Sequence, residues 1–197
     1  MVTKGEQTRD FILKKSYTLF ARKGFKQVTM KDICEITGMS RGGLYSHFSS
    51  TDEIFEAILK GMTQKDDLDF QCEIKKGIST VTIMDNALSL LEKEMNDSET
   101  SLSEAIYEYS ETVDSNVMAE LNQISVKNWS ALIRYGIKTG EFNNVDVTEI
   151  VSLLLYSYQG IRMWSRIIPV SDKTIHSVVM NIKKQLYKNI NRKGDDV

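Results

Sequence analysis

Arg41 is the residue of this sequence best suited to recognise another molecule specifically. Its planar guanidinium group can donate two parallel hydrogen bonds to O6 and N7 of guanine, although it could equally contact a phosphate or stay solvated. Gly42 and Gly43 follow it, and each glycine costs a helix about 1 kcal/mol relative to alanine. Two such costs in succession indicate that the backbone approaches another body closely, either DNA or the preceding helix.

Side chains that can bind phosphate lie close to this arginine. Tyr45 and Ser46 carry hydroxyl groups able to reach a phosphate or the edge of a base. His47 could contact a phosphate as well, or it could be a structural residue beside the aromatic Phe48. Thr29 is placed to cap a helix and, from that position, to hydrogen-bond a phosphate of the DNA backbone. We therefore expect this segment to bind nucleic acid.

No arrangement of residues predicts catalysis. The sequence contains no Gly-x-Ser-x-Gly elbow, no Walker loop and no Gly-x-Gly-x-x-Gly motif. Its two histidines and two cysteines, Cys34 and Cys72, are too few and too scattered for most zinc sites. We expect neither an enzyme nor a bound metal or cofactor, and the cysteine usage is typical of a reducing compartment.

The charge is divided unevenly along the 197 residues. Residues 1–50 contain nine Lys and Arg against four Asp and Glu, which gives a net charge of +5. Residues 51–197 contain 16 basic and 23 acidic residues, which gives −7. A basic head (residues 1–50) on an acidic body (residues 51–197) indicates that only the head binds a polyanion, unless the head is simply a small soluble domain.

Targeting and membrane segments are not expected. The longest apolar run, around residues 150–158, is far shorter than the ~20 residues that a membrane span needs. The first ten residues are polar and lack the apolar core of a signal peptide. These features predict a cytoplasmic protein.

Helical periodicity positions the candidate residues. A first helix is predicted at 8–23, where apolar residues recur on one face. Thr29 and Asp32 form a variant of the capping box, in which an acid in the first turn accepts a hydrogen bond from the backbone N–H of the N-cap threonine. Ser40 is the N-cap of the next helix, predicted at 40–47, which would be the recognition helix. Residues 29–48 therefore predict a helix-turn-helix motif.

The rest of the chain is also predicted to be helical. One helix starts at the cap formed by residues 49–51 and could continue toward residue 77, and the others are predicted at 81–95, 102–109, 117–139, 147–167 and 173–191. The predicted fold class is all-α. It comprises an N-terminal three-helix DNA-binding domain at 1–50 and a larger C-terminal helical domain at 51–197.

The last two predicted helices suggest how two chains could associate. The helix at 147–167 is apolar on almost every side, and the helix at 173–191 carries a sustained apolar stripe. Two such helices can pack with their copies from a second chain into a four-helix bundle, which would make a homodimer. Alternatively, the core of a monomer absorbs both stripes.

Three stretches of the N-terminal part resemble a known family. They are Leu-Phe-Ala-Arg-Lys-Gly-Phe at 19–25, Thr-Met-Lys-Asp-Ile at 29–33 and Gly-Met-Ser-Arg-Gly-Gly-Leu-Tyr-Ser-His-Phe at 38–48. Together they resemble the DNA-binding domain of the TetR family of bacterial transcriptional regulators, and 136–142 resembles the turn before the last two helices. The resemblance implies a homodimer that binds a palindromic operator in double-stranded DNA, usually as a repressor that a small ligand releases.

The resemblance also adds to the expected DNA contacts. It implies that Tyr45 binds a phosphate, and it draws attention to Thr51, where the family often has a lysine opening the fourth helix. A threonine can still hydrogen-bond a phosphate at a helix N-terminus, but the positive charge is lost. The complete set of expected DNA-binding residues is Thr29, Ser40, Arg41, Gly42, Gly43, Tyr45, Ser46, His47 and Thr51.

The C-terminal domain is rich in aromatic and methionine side chains. These could line a pocket for a small hydrophobic or cationic effector, or they could simply form the core. The expected lining residues are Tyr107, Trp129, Tyr156, Gln159 and Met163. Other hypotheses remain open: a regulator that binds a protein partner or no ligand, an activator, or a helical interaction module whose basic head touches acidic protein or membrane.

Overall fold

The computed structural model describes residues 3–64, 70–112 and 117–188, and in these ranges the protein is all-α, with no β-strand. The helices are α1 Lys4–Lys23, α2 Met30–Thr37, α3 Arg41–Tyr45, α4 Thr51–Gln64, α5 Phe70–Lys75, α6 Thr80–Asn96, α7 Ser103–Ser110, α8 Val117–Thr139, α9 Val147–Trp164 and α10 Asp172–Leu186. A short 3-10 turn, Ser98–Thr100, precedes α7. The predicted fold class is confirmed.

Local caps determine where the helices begin. Thr29 Oγ1 accepts the N–H of Asp32 at 3.2 Å, and the Asp32 carboxylate accepts the N–H of Thr29 at 2.9 Å, which is the predicted capping box. Ser40 Oγ accepts the N–H of Gly43 at 3.2 Å and thereby caps α3. Asp146 caps α9 in the same way. Such caps satisfy N–H groups that have no partner within the helix.

The helices of the N-terminal part differ in length from the sequence prediction. Helix α1 begins at residue 4 rather than 8, because Thr3 and Glu6 form a capping box that the sequence analysis missed. Helix α3 covers only residues 41–45 of the predicted 40–47. The predicted continuation of α4 toward residue 77 falls partly on residues 65–69, which lie outside the described ranges.

The last two helices end earlier than predicted. Helix α9 ends at Trp164 rather than 167, and α10 ends at Leu186 rather than 191. The backbone of Tyr187 is extended (φ −91°, ψ 136°) and forms an isolated antiparallel bridge with Phe142. Because the chain is extended at this bridge, α10 ends there. The apolar periodicity alone therefore predicts too long a helix. Residues 189–197 lie outside the described ranges.

The helices form two compact units, which we describe separately. The N-terminal unit comprises Met1–Lys65 and Glu99–Met118, and it therefore contains α1–α4 and α7. Its core joins the rings of Phe20, Phe25, Phe55 and Tyr109, whose centroids lie 4.8–5.9 Å apart. The packing unit thus extends beyond the predicted domain of residues 1–50, because α4 supplies Phe55 and α7 supplies Tyr109 to the same cluster.

The C-terminal unit comprises Asp66–Ser98 and Ala119–Val197. Trp129 of α8 is 1% exposed and packs on Phe70, with ring centroids 5.0 Å apart. Around this pair, apolar side chains of α6, α8, α9 and α10 form one continuous core. No helix within residues 3–64, 70–112 and 117–188 has both the length and the apolar character needed to cross a bilayer.

Candidate nucleic-acid interface

Helices α2 and α3 form the predicted helix-turn-helix. Gly38 ends α2 with a left-handed backbone (φ 68°, ψ 15°), a conformation that glycine adopts without strain. Ile33 of α2 and Leu44 of α3 are completely buried, and Phe48 is 1% exposed. The packing fixes α3 by this one side and leaves its opposite side in solvent.

The solvent side of α3 carries four of the predicted DNA contacts. Arg41, Gly42, Tyr45 and Ser46 are all exposed, and the Tyr45 side chain is 50% exposed despite its aromatic ring. Positions spaced by one, four and five residues lie on one face of a helix, so these four share a surface. The side chains of Arg41 and Tyr45 make no hydrogen bond or ion pair with any residue of the described ranges.

Several of the predicted contacts, Ser46 among them, also have hydrogen-bond partners within the chain. The hydroxyls of Thr29 and Ser40 cap α2 and α3, as described above. Ser46 Oγ donates a hydrogen bond to the carbonyl of Gly43 at 2.7 Å. Thr51 is the first residue of α4 and is half-buried, as is His47. These side chains border the exposed face of α3. The hydroxyl groups of Thr29, Ser40 and Ser46 already make hydrogen bonds within the chain.

The two glycines of α3 differ in their surroundings. A Cβ atom built on Gly42 would meet no atom within 4 Å, apart from its own helix backbone and chain neighbours. A Cβ atom on Gly43 would lie 3.2 Å from Ser40 Oγ and 3.5 Å from Met39 Cε. Packing within the chain therefore gives a reason for glycine at 43 but gives none at 42.

Several basic groups of the N-terminal unit are paired with acids. Lys23 Nζ donates to Asp32 at 2.7 Å, and this contact, with the hydrogen bonds from Thr29, holds the pKa of Asp32 well below its usual range. Lys26 Nζ donates to Glu111 at 2.8 Å, which raises the pKa of the amine and lowers that of the carboxyl. Because Glu111 lies outside residues 1–50, the positive field around Lys26 is weaker than the net charge of those residues suggests.

No sequence pattern indicates the part that Arg9 plays beside α3. Its Nη1 donates a 2.7 Å hydrogen bond to the carbonyl of His47, just beyond the end of α3. Thirty-eight residues separate the two partners. No local spacing could have revealed this contact, since it depends on how α1 crosses the helix-turn-helix.

Helix α7 was also missed as part of this unit. The Glu108 carboxylate accepts the backbone N–H of Lys26 at 2.9 Å, and the Tyr109 hydroxyl donates to Glu56 of α4 at 2.8 Å. Burial, followed by the contact with Glu56, raises the pKa of Tyr109 above its usual value. Helix α7 thus contacts both the turn after α1 and the middle of α4.

The five residues expected to line an effector pocket have different environments. Tyr107 belongs to the N-terminal unit, where it is 54% exposed. In the C-terminal unit, Trp129 is part of the core, Tyr156 is 72% exposed, Gln159 is exposed and Met163 is 38% exposed. The structure does not gather the latter four around one cavity.

The C-terminal unit has a small apolar cavity elsewhere. Its volume is about 10 Å³, and it lies between α6, α9 and α10. The residues that line it are Leu88, Leu91, Met95, Leu154, Ser157, Tyr158, Val178, Val179 and Ile182. None of the five predicted lining residues is among them.

A polar cluster lies beside this cavity. The Tyr158 hydroxyl and the Arg162 guanidinium both donate hydrogen bonds to the carboxylate of Glu94, and Arg162 is 8% exposed. Burial is the main cause that raises the pKa of Tyr158. In the described ranges, His, Cys, Asp and Glu nowhere form a group of three that could hold a metal ion.

Known proteins share both the sequence motif and the fold. Residues 12–58 match the family described as bacterial regulatory proteins, tetR family. The chain is 32% identical over 160 residues, 76% of each chain, to YfiR of Bacillus subtilis, an uncharacterized HTH-type transcriptional regulator. It is 29% identical over 140 residues, 66% of each chain, to the HTH-type transcriptional repressor KstR2 of Rhodococcus jostii.

Solved structures agree with this assignment at the level of the fold. A TetR-family transcriptional regulator from Agrobacterium tumefaciens superposes with a TM-score of 0.76, at 14% identity, over 94% of this chain and 100% of that one. The helix-turn-helix at 29–48, with the exposed side of α3, is the part that the family match and the geometry have in common. This chain belongs to the TetR family and is a DNA-binding transcriptional regulator.

Proposed function

We propose that the protein is a homodimeric cytoplasmic repressor that binds a palindromic operator and leaves it when a small ligand binds the C-terminal unit. The exposed face of α3, with Arg41, Gly42, Tyr45 and Ser46, is the observation that carries this proposal. In a dimer, the two copies of α3 would enter successive major grooves, about 34–36 Å apart. Repression is supported by the name of the relative KstR2, which is a repressor.

Arg41 is the proposed reader of a guanine base. Its side chain is exposed, comes from the first residue of α3 and makes no ion pair within the described ranges, so DNA can take both donor edges of the guanidinium. Tyr45, one turn further along, would hydrogen-bond a phosphate. The backbone of Gly42 would lie against the DNA, because no side chain within residues 3–64, 70–112 and 117–188 occupies the space beside it.

Operator binding is tested by an electrophoretic or fluorescence titration with duplex DNA. The probe is the region upstream of the protein's own gene, and a scrambled duplex of equal composition is the comparison. Arg41→Ala should weaken operator binding by about 1–3 kcal/mol at one base position and flatten the preference for the operator. Lys14→Ala removes one exposed charge from α1 and is the matched control. An equal loss by Arg41→Ala on both duplexes would contradict base recognition.

A second candidate function is a helical module that binds polyanions without sequence preference. The pairing of Lys23 and Lys26 with acids argues against it, since it weakens the diffuse positive field that such binding needs. The titration separates the two functions. Equal and steeply salt-dependent binding of every polyanion would support the module and contradict the operator reader.

The effector is proposed to be small and either apolar or cationic. The apolar cavity of about 10 Å³ would have to widen to admit it, and a cation could bind the carboxylate of Glu94 only by displacing the guanidinium of Arg162. Lipophilic amines and neutral lipophilic compounds of the same skeleton should be compared by thermal shift. A ligand that raises the melting temperature should also release the operator duplex. A compound that raises the melting temperature but does not release the operator would contradict release by that ligand. This result would favour a regulator whose DNA binding is independent of the ligand, or an activator.

A further inference from the structure

We propose that Arg9 is a positioning residue for the recognition helix α3, which it holds through the backbone after α3 instead of touching DNA. This inference rests on the proposed function only in so far as α3 is the part that reads DNA. Three independent contacts of the guanidinium group carry it, and each involves a different residue after the end of α3.

The first contact is a hydrogen bond at the end of a very short helix. Helix α3 has five residues, and Arg9 Nη1 donates to the His47 carbonyl at 2.7 Å. The His47 carbonyl lies two residues past the last residue of α3, and a charged donor forms a strong hydrogen bond with a carbonyl group. The five-residue helix thereby receives an external restraint just beyond its last turn.

The second contact orders the guanidinium group itself. Its central carbon lies 3.9 Å from the centroid of the Phe48 ring. Phe48 is 1% exposed, so the ring is fixed by the core. A cation above a fixed aromatic face is attracted to it, and stacking reduces the rotamer freedom that the arginine would otherwise lose on binding a carbonyl.

The third contact extends the restraint to α4. Arg9 Nη2 lies 3.5 Å from Glu53 Oε1, and Glu53 Oε2 accepts both the N–H (2.7 Å) and the hydroxyl (2.8 Å) of Ser49. These hydrogen bonds from Ser49, and then the proximity of Arg9, lower the pKa of Glu53. One arginine from α1 thus connects both sides of the turn between α3 and α4.

The same geometry distinguishes Arg9 from a phosphate contact. Its charge is partly neutralised by Glu53, and two sides of the guanidinium face the chain. A residue of this kind sets where Tyr45 and Ser46 point, but it adds little to the attraction of phosphates. Its loss should therefore reduce DNA affinity without changing how many counterions DNA binding releases.

The test uses the full chain with Arg9→Gln, Arg9→Lys and, as control, Lys14→Gln, which removes one exposed charge from the same helix. Amide hydrogen exchange is measured without DNA. In Arg9→Gln we expect exchange at residues 46–50 to rise about tenfold, as for loss of a charged hydrogen bond. Exchange in α1 and α2 should stay unchanged. Arg9→Lys keeps the charge but can reach only one of the three partners, so it should be intermediate.

Duplex titrations over a range of salt concentrations complete the test. Operator affinity should fall about tenfold in Arg9→Gln with an unchanged salt slope, whereas Lys14→Gln should leave the exchange at 46–50 unchanged. A rise in exchange throughout the N-terminal unit, or no rise at 46–50, would overturn the proposal. So would a decrease in the salt slope of about one with normal exchange, because that marks a phosphate contact. If the wild-type chain binds no duplex, the proposed function fails, while the exchange data still decide the role of Arg9.

Discussion

At the level of single residues, Gly42 separates folding from function more clearly than any other position of α3. Glycine lowers helix stability, and no atom of the described residues outside its own helix backbone and chain neighbours lies within 4 Å of the place where a Cβ atom would project. Gly43 is different, since the side chains of Ser40 and Met39 already border it. The absence of a side chain at 42 therefore favours a partner outside the chain.

We predict that Gly42→Ala stabilises the protein but weakens DNA binding. Alanine should raise the free energy of unfolding by up to about 1 kcal/mol, because it reduces the conformational freedom of the unfolded chain. The added methyl group should also hold the DNA backbone or base edges away from α3. Denaturant unfolding and duplex titration measure the two effects.

A matched control exists in α4. A Cβ atom on Gly61 would also meet no atom of the described residues within 4 Å, apart from its own helix backbone and chain neighbours, so Gly61→Ala should stabilise the protein to a similar degree and leave DNA affinity unchanged. Unchanged DNA affinity in Gly42→Ala would contradict a close approach of DNA at this position.

At the level of helices, the sequence predicted most clearly what depends on neighbouring residues. The caps at Thr29, Ser40 and Asp146 involve partners two or three residues away, and the predicted helices begin where these caps lie. The end of α10 depends instead on the bridge between Tyr187 and Phe142, which the apolar stripe of the helix does not predict. Local chemistry therefore predicted these three helix starts better than the end of α10, although the Thr3–Glu6 capping box that starts α1 was missed.

Contacts between distant helices were beyond the reach of sequence patterns. Helix α7 was predicted as an element, but its place in the N-terminal unit rests on contacts such as Tyr109 to Glu56, which are 53 residues apart. For the same reason, the sequence predicts the effector-lining residues only from their residue types. Trp129 turned out to be core, and Tyr156 is solvent-exposed. Residue type does not indicate which face of a helix the neighbours will cover.

The turn between α8 and α9 gives a prediction at this scale. Gly136 lies in α8, and a Cβ atom built on it would lie 2.3 Å from Cδ2 of Phe142. That ring is 1% exposed and stacks on Tyr187 with centroids 5.7 Å apart, so it has little room to move. We predict that Gly136→Ala destabilises the protein by about 1–3 kcal/mol through overpacking, although alanine is the better helix former.

Urea unfolding measures this loss, and Gly61→Ala is again the control, with the opposite sign. A Gly136→Ala chain as stable as wild type would show that the Phe142 ring can shift without cost. The stretch 136–142 would then not depend on the close contact of helix and ring.

At the level of the whole molecule, the outer face of α9 bears on the proposed dimer. Several apolar side chains on this helix and just after it are exposed to solvent. They are Leu153 (38%), Tyr156 (72%), Met163 (38%), Trp164 (54%), Ile167 (68%) and Ile168 (52%). The positions 153, 156, 163, 164 and 167 recur at spacings typical of one helix face. An apolar surface of this kind is characteristic of an interaction site.

We predict that Tyr156→Glu separates the proposed dimer into monomers. A two-fold axis brings the same patch of both chains together, so the substitution would place two carboxylates in one apolar interface. Such a repulsive pair should weaken dimerisation by about a hundredfold or more. Sedimentation velocity at micromolar concentration measures the dissociation constant.

Tyr107→Glu is the matched control for this experiment, because Tyr107 is an exposed tyrosine (54%) that lies in the other unit. It should leave the wild-type sedimentation profile unchanged. The Tyr156→Glu chain should retain its helical circular dichroism and lose most of its affinity for a palindrome, but keep its weaker affinity for a single half-site. This pattern follows because α3 is intact in the monomer while the second α3 is no longer tethered to it. A Tyr156→Glu chain that remains dimeric would place the interface on another surface, and a monomeric wild type would contradict the dimer itself.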